Sequence, residues 1–309
     1  MAWGLGLLAA STAMLIAGAE LFTENAGAAA RRLRITVFAA AFLLAGAEPE
    51  EMITAAIASG RHHPGLAAGD AIGANLTMLT LVLGLAAVAR PLPFTGRVRG
   101  YAAWSALAGG LAALAIAGGG IARWQAGLLL AAYLAGVALL WWRERRPPAI
   151  GEAAEAGEED GEGRAALPGL ALALGGLALM AAGGWIAVGG AERVVRALGL
   201  SDSVIGLTLL VLATTAELFA LAWAAMRRGV SEVAVAGVIG SVAYNATATL
   251  GVAALIRPLT VTGILIPAIA AAALPVALLL ITPGGRLSRP AGAALVLGYG
   301  VWVAAVLAR

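Results

Sequence analysis

The chain has 309 residues, of which 61% are hydrophobic and only 12% charged, with a net charge of +3. Soluble globular chains are nearer a quarter charged, so this composition excludes a soluble enzyme, a nucleic-acid binder and a disordered protein together. A mean hydropathy of +0.92 marks an integral membrane protein.

Spans of about 20 residues leave room for roughly ten helices. A closed barrel would need alternating segments of about ten residues, and none is evident. The chain has no cysteine, and all 20 basic residues are arginine. Disulfides and thiolate metal sites are therefore excluded, and the arginines are expected to cap membrane helices.

In chain order, apolar windows between Arg, Pro or Gly clusters predict spans near 3–19, 36–59, 66–89, 99–118, 124–142, 168–188, 203–226, 232–255, 260–281 and 290–308. The first has neither a basic n-region nor a clear cleavage site, so it reads as a span and not as a signal peptide. Glu20 and Glu24 follow it one turn apart and are expected at the interface. His62-His63 sits beside Pro64 in a short connection, expected to be a solvated loop. Trp3, Trp104, Trp124, Trp141, Trp142, Trp185 and Trp302 lie near span ends, where indoles anchor helices at the interface. Trp223 falls inside a span and is expected to pack there.

The only long polar segment runs from Arg143 to Arg164 and carries Pro147-Pro148, then Glu152, Glu155, Glu158, Glu159, Asp160 and Glu162. It reads as a flexible acidic connector. The expected organisation is a five-helix unit over 1–142, an acidic loop over 143–166 and a second five-helix unit over 167–309. With the N-terminus outside, inner loops hold 14 arginines and outer loops 6. The positive-inside bias therefore puts both termini outside and the acidic loop in the cytoplasm.

An internal repeat is the most informative global feature. Residues 34–92 slide onto 201–259 without a gap, with 17 of 59 positions identical. Glu50 falls on Glu217, Gly73 on Gly240, Thr80 on Thr247, and Arg90-Pro91-Leu92 on Arg257-Pro258-Leu259. Five spans per half turn the second half over, so the fold class is all-α integral membrane: ten transmembrane helices in two inverted five-helix repeats. Inverted repeats are typical of secondary transporters, whose sites lie near the midplane.

Glu50 and Glu217 are each the fifteenth residue of their expected spans, which places both about 21 Å from the entry face of a ~30 Å core. An ionisable group at that depth costs about 2.5–3.5 kcal/mol, a cost that a bound cation or proton offsets. Pro49 frees backbone carbonyls ahead of Glu50. Thr214-Thr215 offers oxygens ahead of Glu217, and Asn75, Ser241 and Asn245 come from the following helix of each half. Two carboxylates with amide, hydroxyl and carbonyl oxygens suit Ca²⁺. On an ideal helix Glu48 and Glu51 point away from Glu50; they would line a vestibule, or Glu48 would reach the site where Pro49 distorts the helix. Asp70 and Asp202 fall at span boundaries, and the histidines in a loop, which leaves an intramembrane enzyme without a catalytic set.

The segments Gly46-Ala47-Glu48-Pro49-Glu50 and Gly69-Asp70-Ala71-Ile72-Gly73-Ala74-Asn75, with their second-half counterparts, resemble the two α-repeats of the calcium:cation antiporter superfamily. The resemblance covers nearly the whole chain. It implies an alternating-access antiporter in which Glu50 and Glu217 are the central cation ligands and a small bundle, spans one and six, rocks. Family hydroxyl positions map to Gly46 and Ala47 in the first half and to Ala213 and Thr214 in the second; family amide-and-serine positions map to Ala74, Asn75 and Met78, and to Ser241, Val242 and Asn245. The first repeat thus lacks both hydroxyls, its serine and its second amide.

The expected transported ions are Ca²⁺ with Na⁺ or H⁺, with no tightly bound cofactor and no nucleic acid. The expected surroundings are a lipid bilayer, that of a prokaryotic plasma membrane. A ten-span exporter of small metabolites is the alternative; it would not need matched glutamates.

Overall fold

The computed structural model describes residues 1–32, 48–144, 166–219, 222 and 231–308. The acidic connector, Gly46, Ala47 and Trp223 lie outside the described residues.

The described chain is helical apart from short turns and two-residue strands. The first helix, α1, is Ala2–Arg32; α2 is Pro49–Gly60, followed by α3, Pro64–Thr77. A π-helical turn, Met78–Val82, joins α3 to α4, Leu83–Ala89. Then come β1 (Leu92–Pro93), α5 (Gly96–Ile116), β2 (Gly120–Ile121) and α6 (Arg123–Glu144). The second half opens with α7, Ala166–Leu198, and α8, Asp202–Ile205. A π turn at Gly206–Leu210 leads into α9, Val211–Thr214. There follow α10 (Ser231–Tyr244), a third π turn (Asn245–Thr249), α11 (Leu250–Ile256), β3 (Leu259–Thr260), α12 (Leu265–Ile281), β4 (Arg286–Leu287) and α13 (Arg289–Leu307).

Among the described residues six stretches are long and apolar enough to cross a bilayer: Ala2–Phe22, Pro64–Ala89, Arg123–Arg143, Ala171–Leu198, Val235–Ile256 and Arg289–Leu307. Those of Pro64–Ala89 and Val235–Ile256 are mostly buried, whereas the others expose most of their side chains. This contrast sets two inner helices inside a ring that presents apolar side chains such as Leu128, Leu280 and Leu297 outward. An apolar exterior of this kind faces lipid.

The 167-residue repeat governs backbone detail. Shifted by that amount, α3, its π turn, α4 and β1 coincide residue for residue with α10, its π turn, α11 and β3. Both stretches end on an arginine in extended conformation, Arg90 and Arg257. The halves then clasp each other reciprocally. β1 pairs antiparallel with β4 and β2 with β3. Each pair gains one more bond, from Phe94 N–H to Gly285 O at 2.8 Å and from Val261 N–H to Gly119 O at 3.0 Å. Gly119 and Gly285 hold φ of 87° and 71°, a region glycine enters without a steric cost.

The two longest helices, α1 and α7, pack antiparallel along a stripe of small residues. A Cβ on Gly4 would meet Gly190 O at 3.0 Å, and one on Gly18 would meet Gly176 O at 2.9 Å. Between these two crossings a Cβ on Gly183 would meet Leu15 Cδ2 at 3.1 Å, and buried Ser11 lies midway between Gly4 and Gly18 in sequence. The stripe recurs every seven residues on both helices, the repeat of a left-handed coil, and it lets the backbones approach closely. Both helices are longer than the sequence suggested. α1 continues past exposed Glu20 and Glu24 to Arg32, and α7 runs on to Leu198.

Two expectations about the ends of helices are corrected. The His62-His63 connection is not merely solvated: His63 contacts Glu192 Oε1 at 3.2 Å and Asp202 Oδ2 at 2.7 Å, each through a different ring nitrogen. Arg61 bonds Glu192 at 2.7 Å and lies over the Trp185 ring. Trp104 does more than anchor a helix end: half-buried, it stacks on Tyr133 and meets Tyr101 edge-on. Trp3, Trp124, Trp142 and Trp185 are exposed as expected.

Candidate functional site

Glu50 does not sit in the middle of an unbroken helix. Helix α2 begins at Pro49, and Glu48 before it is non-helical, with φ −131° and ψ 58°. Proline at the first helical position loses no internal hydrogen bond, since that N–H has no partner in a helix anyway. Glu50 and Glu51 therefore occupy the first turn, where the positive end of the helix dipole favours negative charge. The second half is also non-helical two residues ahead of its glutamate. Helix α9 ends at Thr214, Thr215 follows with φ −88° and ψ 3°, and residues 216–219 are helical again. Glu48 and Thr215 are 167 positions apart, so both breaks fall two residues ahead of the matched glutamates.

The break also changes where Glu48 points. Its non-helical backbone voids the ideal-helix angle, and the side chain is fully buried. Asn245 donates Nδ2–H to Glu48 Oε2 at 3.4 Å, while its Oδ1 accepts from Thr249 at 3.0 Å. Asn245 opens a π turn, a distortion that frequently marks functional positions.

Glu48, Glu50, Glu51 and Glu217 are all at most 4% exposed, and so are Asn75, Thr214 and Ser241. Glu51 lies within electrostatic range of Glu48, Asp70 and Glu50, with Asn245 close by. The Tyr244 phenol lies within range of Glu48, Glu50 and Glu51 and donates to Met52 Sδ at 3.4 Å. Its ring meets Tyr133 edge-on at 5.5 Å. The Tyr244 phenol and the Asn245 amide thus border the cluster.

The remaining expected ligands are placed unequally. Ser241 donates to Gly237 O at 3.1 Å, within its own helix, which leaves its lone pairs unused. Asn75 is wholly buried with neither side-chain atom hydrogen-bonded. Ala213 is buried and brings no polar atom. Gly46 lies outside the described residues. Among the described residues no three acidic or histidine side chains converge into a ready-made metal centre. A cation held here would take one or two carboxylates together with neutral oxygens.

Asp70 is the residue that sequence reasoning misplaced. It was expected at a span boundary, yet α3 is buried from Gly65 through Thr77 and Asp70 is 1% exposed. Thr214 donates its hydroxyl to Asp70 Oδ1 at 3.0 Å. The contact follows from a close helix crossing. A Cβ on Gly69 would meet Gly206 Cα at 3.0 Å, and one on Gly73 would meet Leu207 Cα at the same distance. The signal that could have found Asp70 is the glycine spacing Gly65, Gly69, Gly73 around it. The repeat could not, because its counterpart is Gly237.

Comparison with known proteins gives a consistent picture. The family model described as sodium/calcium exchanger protein matches residues 3–142 and 168–308. CaxA of Alkalimonas amylolytica, which carries the name of an antiporter, is 26% identical over 249 residues, covering 79% of this chain and 78% of that protein. An uncharacterized membrane protein of Methanocaldococcus jannaschii is 28% identical over 244 residues, covering 77% of each. Among solved structures, the sodium-calcium exchanger NCX_Mj soaked with 2.5 mM Na⁺ and 10 mM Sr²⁺ is 25% identical with a TM-score of 0.64, over 98% of both chains. The same exchanger soaked with 10 mM Na⁺ and zero Ca²⁺ is 25% identical at a TM-score of 0.64, over 97% of this chain and 98% of that one.

Proposed function

Because the chain belongs to the sodium/calcium exchanger family, within the calcium:cation antiporter superfamily, we propose that it carries Ca²⁺ across the membrane in exchange for Na⁺ or H⁺. It is a membrane transporter of inorganic cations, and not an enzyme. The observation that carries the reading is the placement of Glu50 and Glu217. They are buried carboxylates at matched repeat positions, each two residues after a non-helical residue that precedes a helical segment. Interrupted helices expose backbone carbonyls and helix ends at a site, as transporter ion sites require.

In this mechanism Glu50 and Glu217 hold the cation, with Thr214, Asn75, Ser241 and Asn245 supplying neutral oxygens and Glu48 and Glu51 lining the ion path. The ten helices form two inverted five-helix repeats, over 1–142 and 167–309, joined by the acidic cytoplasmic loop 143–166. Both termini lie outside the plasma membrane of a prokaryotic cell. Helices α1 and α7, joined by their small-residue seam, move as one body against the rest and open the site to each side in turn. Competing ions use the same carboxylates, so one must leave before the other binds, which enforces exchange.

The test is Ca²⁺ flux in proteoliposomes under an imposed Na⁺ gradient and, separately, a proton gradient, with Glu50→Gln as control. Flux driven by one gradient and absent in the variant supports the reading and names the coupling ion. No Ca²⁺ flux under either gradient overturns the calcium assignment, and intact cation-independent transport by the variant would point to a metabolite exporter instead.

A further inference from the structure

Among the described residues five carboxyl side chains lie at or below 4% exposure: Glu48, Glu50, Glu51, Asp70 and Glu217. Among the described residues no arginine or histidine is buried with them. A buried carboxylate without a compensating charge is costly. One divalent cation between Glu50 and Glu217 matches two of the five and leaves Glu48, Glu51 and Asp70.

Asp70 is the one of these on a different helix. Its two oxygens have different surroundings: Oδ1 accepts the Thr214 hydroxyl, whereas Oδ2 is buried and accepts no hydrogen bond. Glu51, from α2, lies within electrostatic range, and neither of its oxygens accepts a well-formed hydrogen bond although Asn245 is near. A threonine hydroxyl has one hydrogen and two lone pairs. Val211 O at 3.2 Å and Leu210 O at 3.5 Å are also within reach of that hydrogen, but Asp70 Oδ1 at 3.0 Å is the nearest acceptor; with the hydrogen directed there, the Thr214 oxygen is oriented to offer its lone pairs elsewhere. The position is set by backbone, because Gly69 and Gly73 bring α3 against Gly206 and Leu207 with no side chain between.

We propose that Asp70 coordinates a cation at a position beside the Glu50–Glu217 pair, without joining both glutamates on one ion: its Oδ2 binds that cation, while its Oδ1 orients the Thr214 hydroxyl toward it. It restores an anionic oxygen to a first repeat that has Gly46, Ala47 and Ala74 where the resemblance expects hydroxyls. The ligand class is a hard cation, Ca²⁺ or Na⁺, which takes oxygen donors. The inference rests on the antiport reading above but is separable from it.

The experiment measures Ca²⁺ binding to the purified full-length protein by calorimetry, with Na⁺ as competitor, for wild type, Asp70→Asn, Asp70→Glu and Glu50→Gln. Each protein is first checked for monodispersity. Asp70→Asn should weaken Ca²⁺ binding by at least about tenfold and change the ratio of Ca²⁺ to Na⁺ affinity. Asp70→Glu keeps the charge on a longer arm and should shift that ratio while still binding; it decides the matter if Asp70→Asn does not fold. A merely structural aspartate would alter yield or melting temperature and leave the ratio untouched. An unchanged ratio in the folded variants, with binding lost in Glu50→Gln, overturns this inference alone. Wild-type protein that binds neither cation overturns the antiport reading and this one with it.

Discussion

Glu48 and Thr215 occupy equivalent positions in the two halves, and each is a non-helical residue directly followed by a helical segment. Their backbones differ in detail, φ −131° and ψ 58° against φ −88° and ψ 3°. The outcome is shared: Glu50 and Glu217 follow two residues later in restarted helical turns. Thr215 also returns its hydroxyl to Val211 O at 2.7 Å. The second break is therefore capped locally, whereas Glu48 is held from another helix by Asn245.

The matched placement predicts matched consequences. Glu50→Gln and Glu217→Gln should each lower cation flux by about two orders of magnitude or more, the effect of removing one charge-bearing ligand in a dry site. Folding should be little affected, since glutamine keeps the shape. Flux in proteoliposomes, read beside circular dichroism, checks this. A large loss in one variant and none in the other would contradict equivalent roles.

Glu48→Gln should be milder. The substituted amide retains a carbonyl oxygen that can accept from Asn245 Nδ2, so the 3.4 Å contact survives in neutral form. The expected loss of flux is below about tenfold. Thr249→Val is the companion variant, because it removes the bond that fixes Asn245 Oδ1. It should cost about 1 kcal/mol of stability, measured as a fall in melting temperature in detergent.

The α1–α7 seam predicts a sharp positional dependence. A side chain at Gly176 would meet Gly18 O at 2.6 Å and Phe22 N at 2.7 Å, whereas its neighbour Gly175 meets nothing nearer than Leu21 Cδ2 at 3.8 Å. Gly176→Val should cost at least the 1–3 kcal/mol typical of overpacking, and Gly175→Ala about nothing. Thermal unfolding of the two variants in parallel checks this, and equal melting temperatures would contradict the seam.

The polar network at the end of α7 should matter little to stability. Glu192 meets Arg61 at 2.7 Å, His63 at 3.2 Å and Arg196 at 3.8 Å, but its partners are a quarter to two-thirds exposed. Pairs so accessible to water contribute about 0–1 kcal/mol each. Glu192→Gln should therefore lower the melting temperature by a few degrees at most, and less in high salt, where such pairs are screened.

Much of the fold was legible in the residues. Apolar windows are a direct consequence of lipid as solvent, and the described helices fall inside or around the expected spans. The 167-residue repeat pointed to Glu50 and Glu217 because identical placement leaves a trace in both halves. Features that break the symmetry were missed for the same reason. Asp70 has Gly237 as its counterpart, His63 has a valine at 230, and neither declares its partner until Thr214 and Glu192 arrive from distant segments. The helix breaks were half visible. Pro49 suggested one, while nothing before Glu217 obliges Thr215 to leave the helix.

The sequence by itself determined the membrane environment, the order of the apolar segments and the repeat, because these depend on composition and on spacing along one chain. The helix crossings were decided only in three dimensions. Gly69 against Gly206 brings Asp70 to Thr214, the α10 π turn sets Asn245 beside Glu48, and a seven-residue stripe joins α1 to α7. Each depends on backbones meeting at distances that small residues permit but do not specify. The partner across each crossing comes from residues far away in the chain.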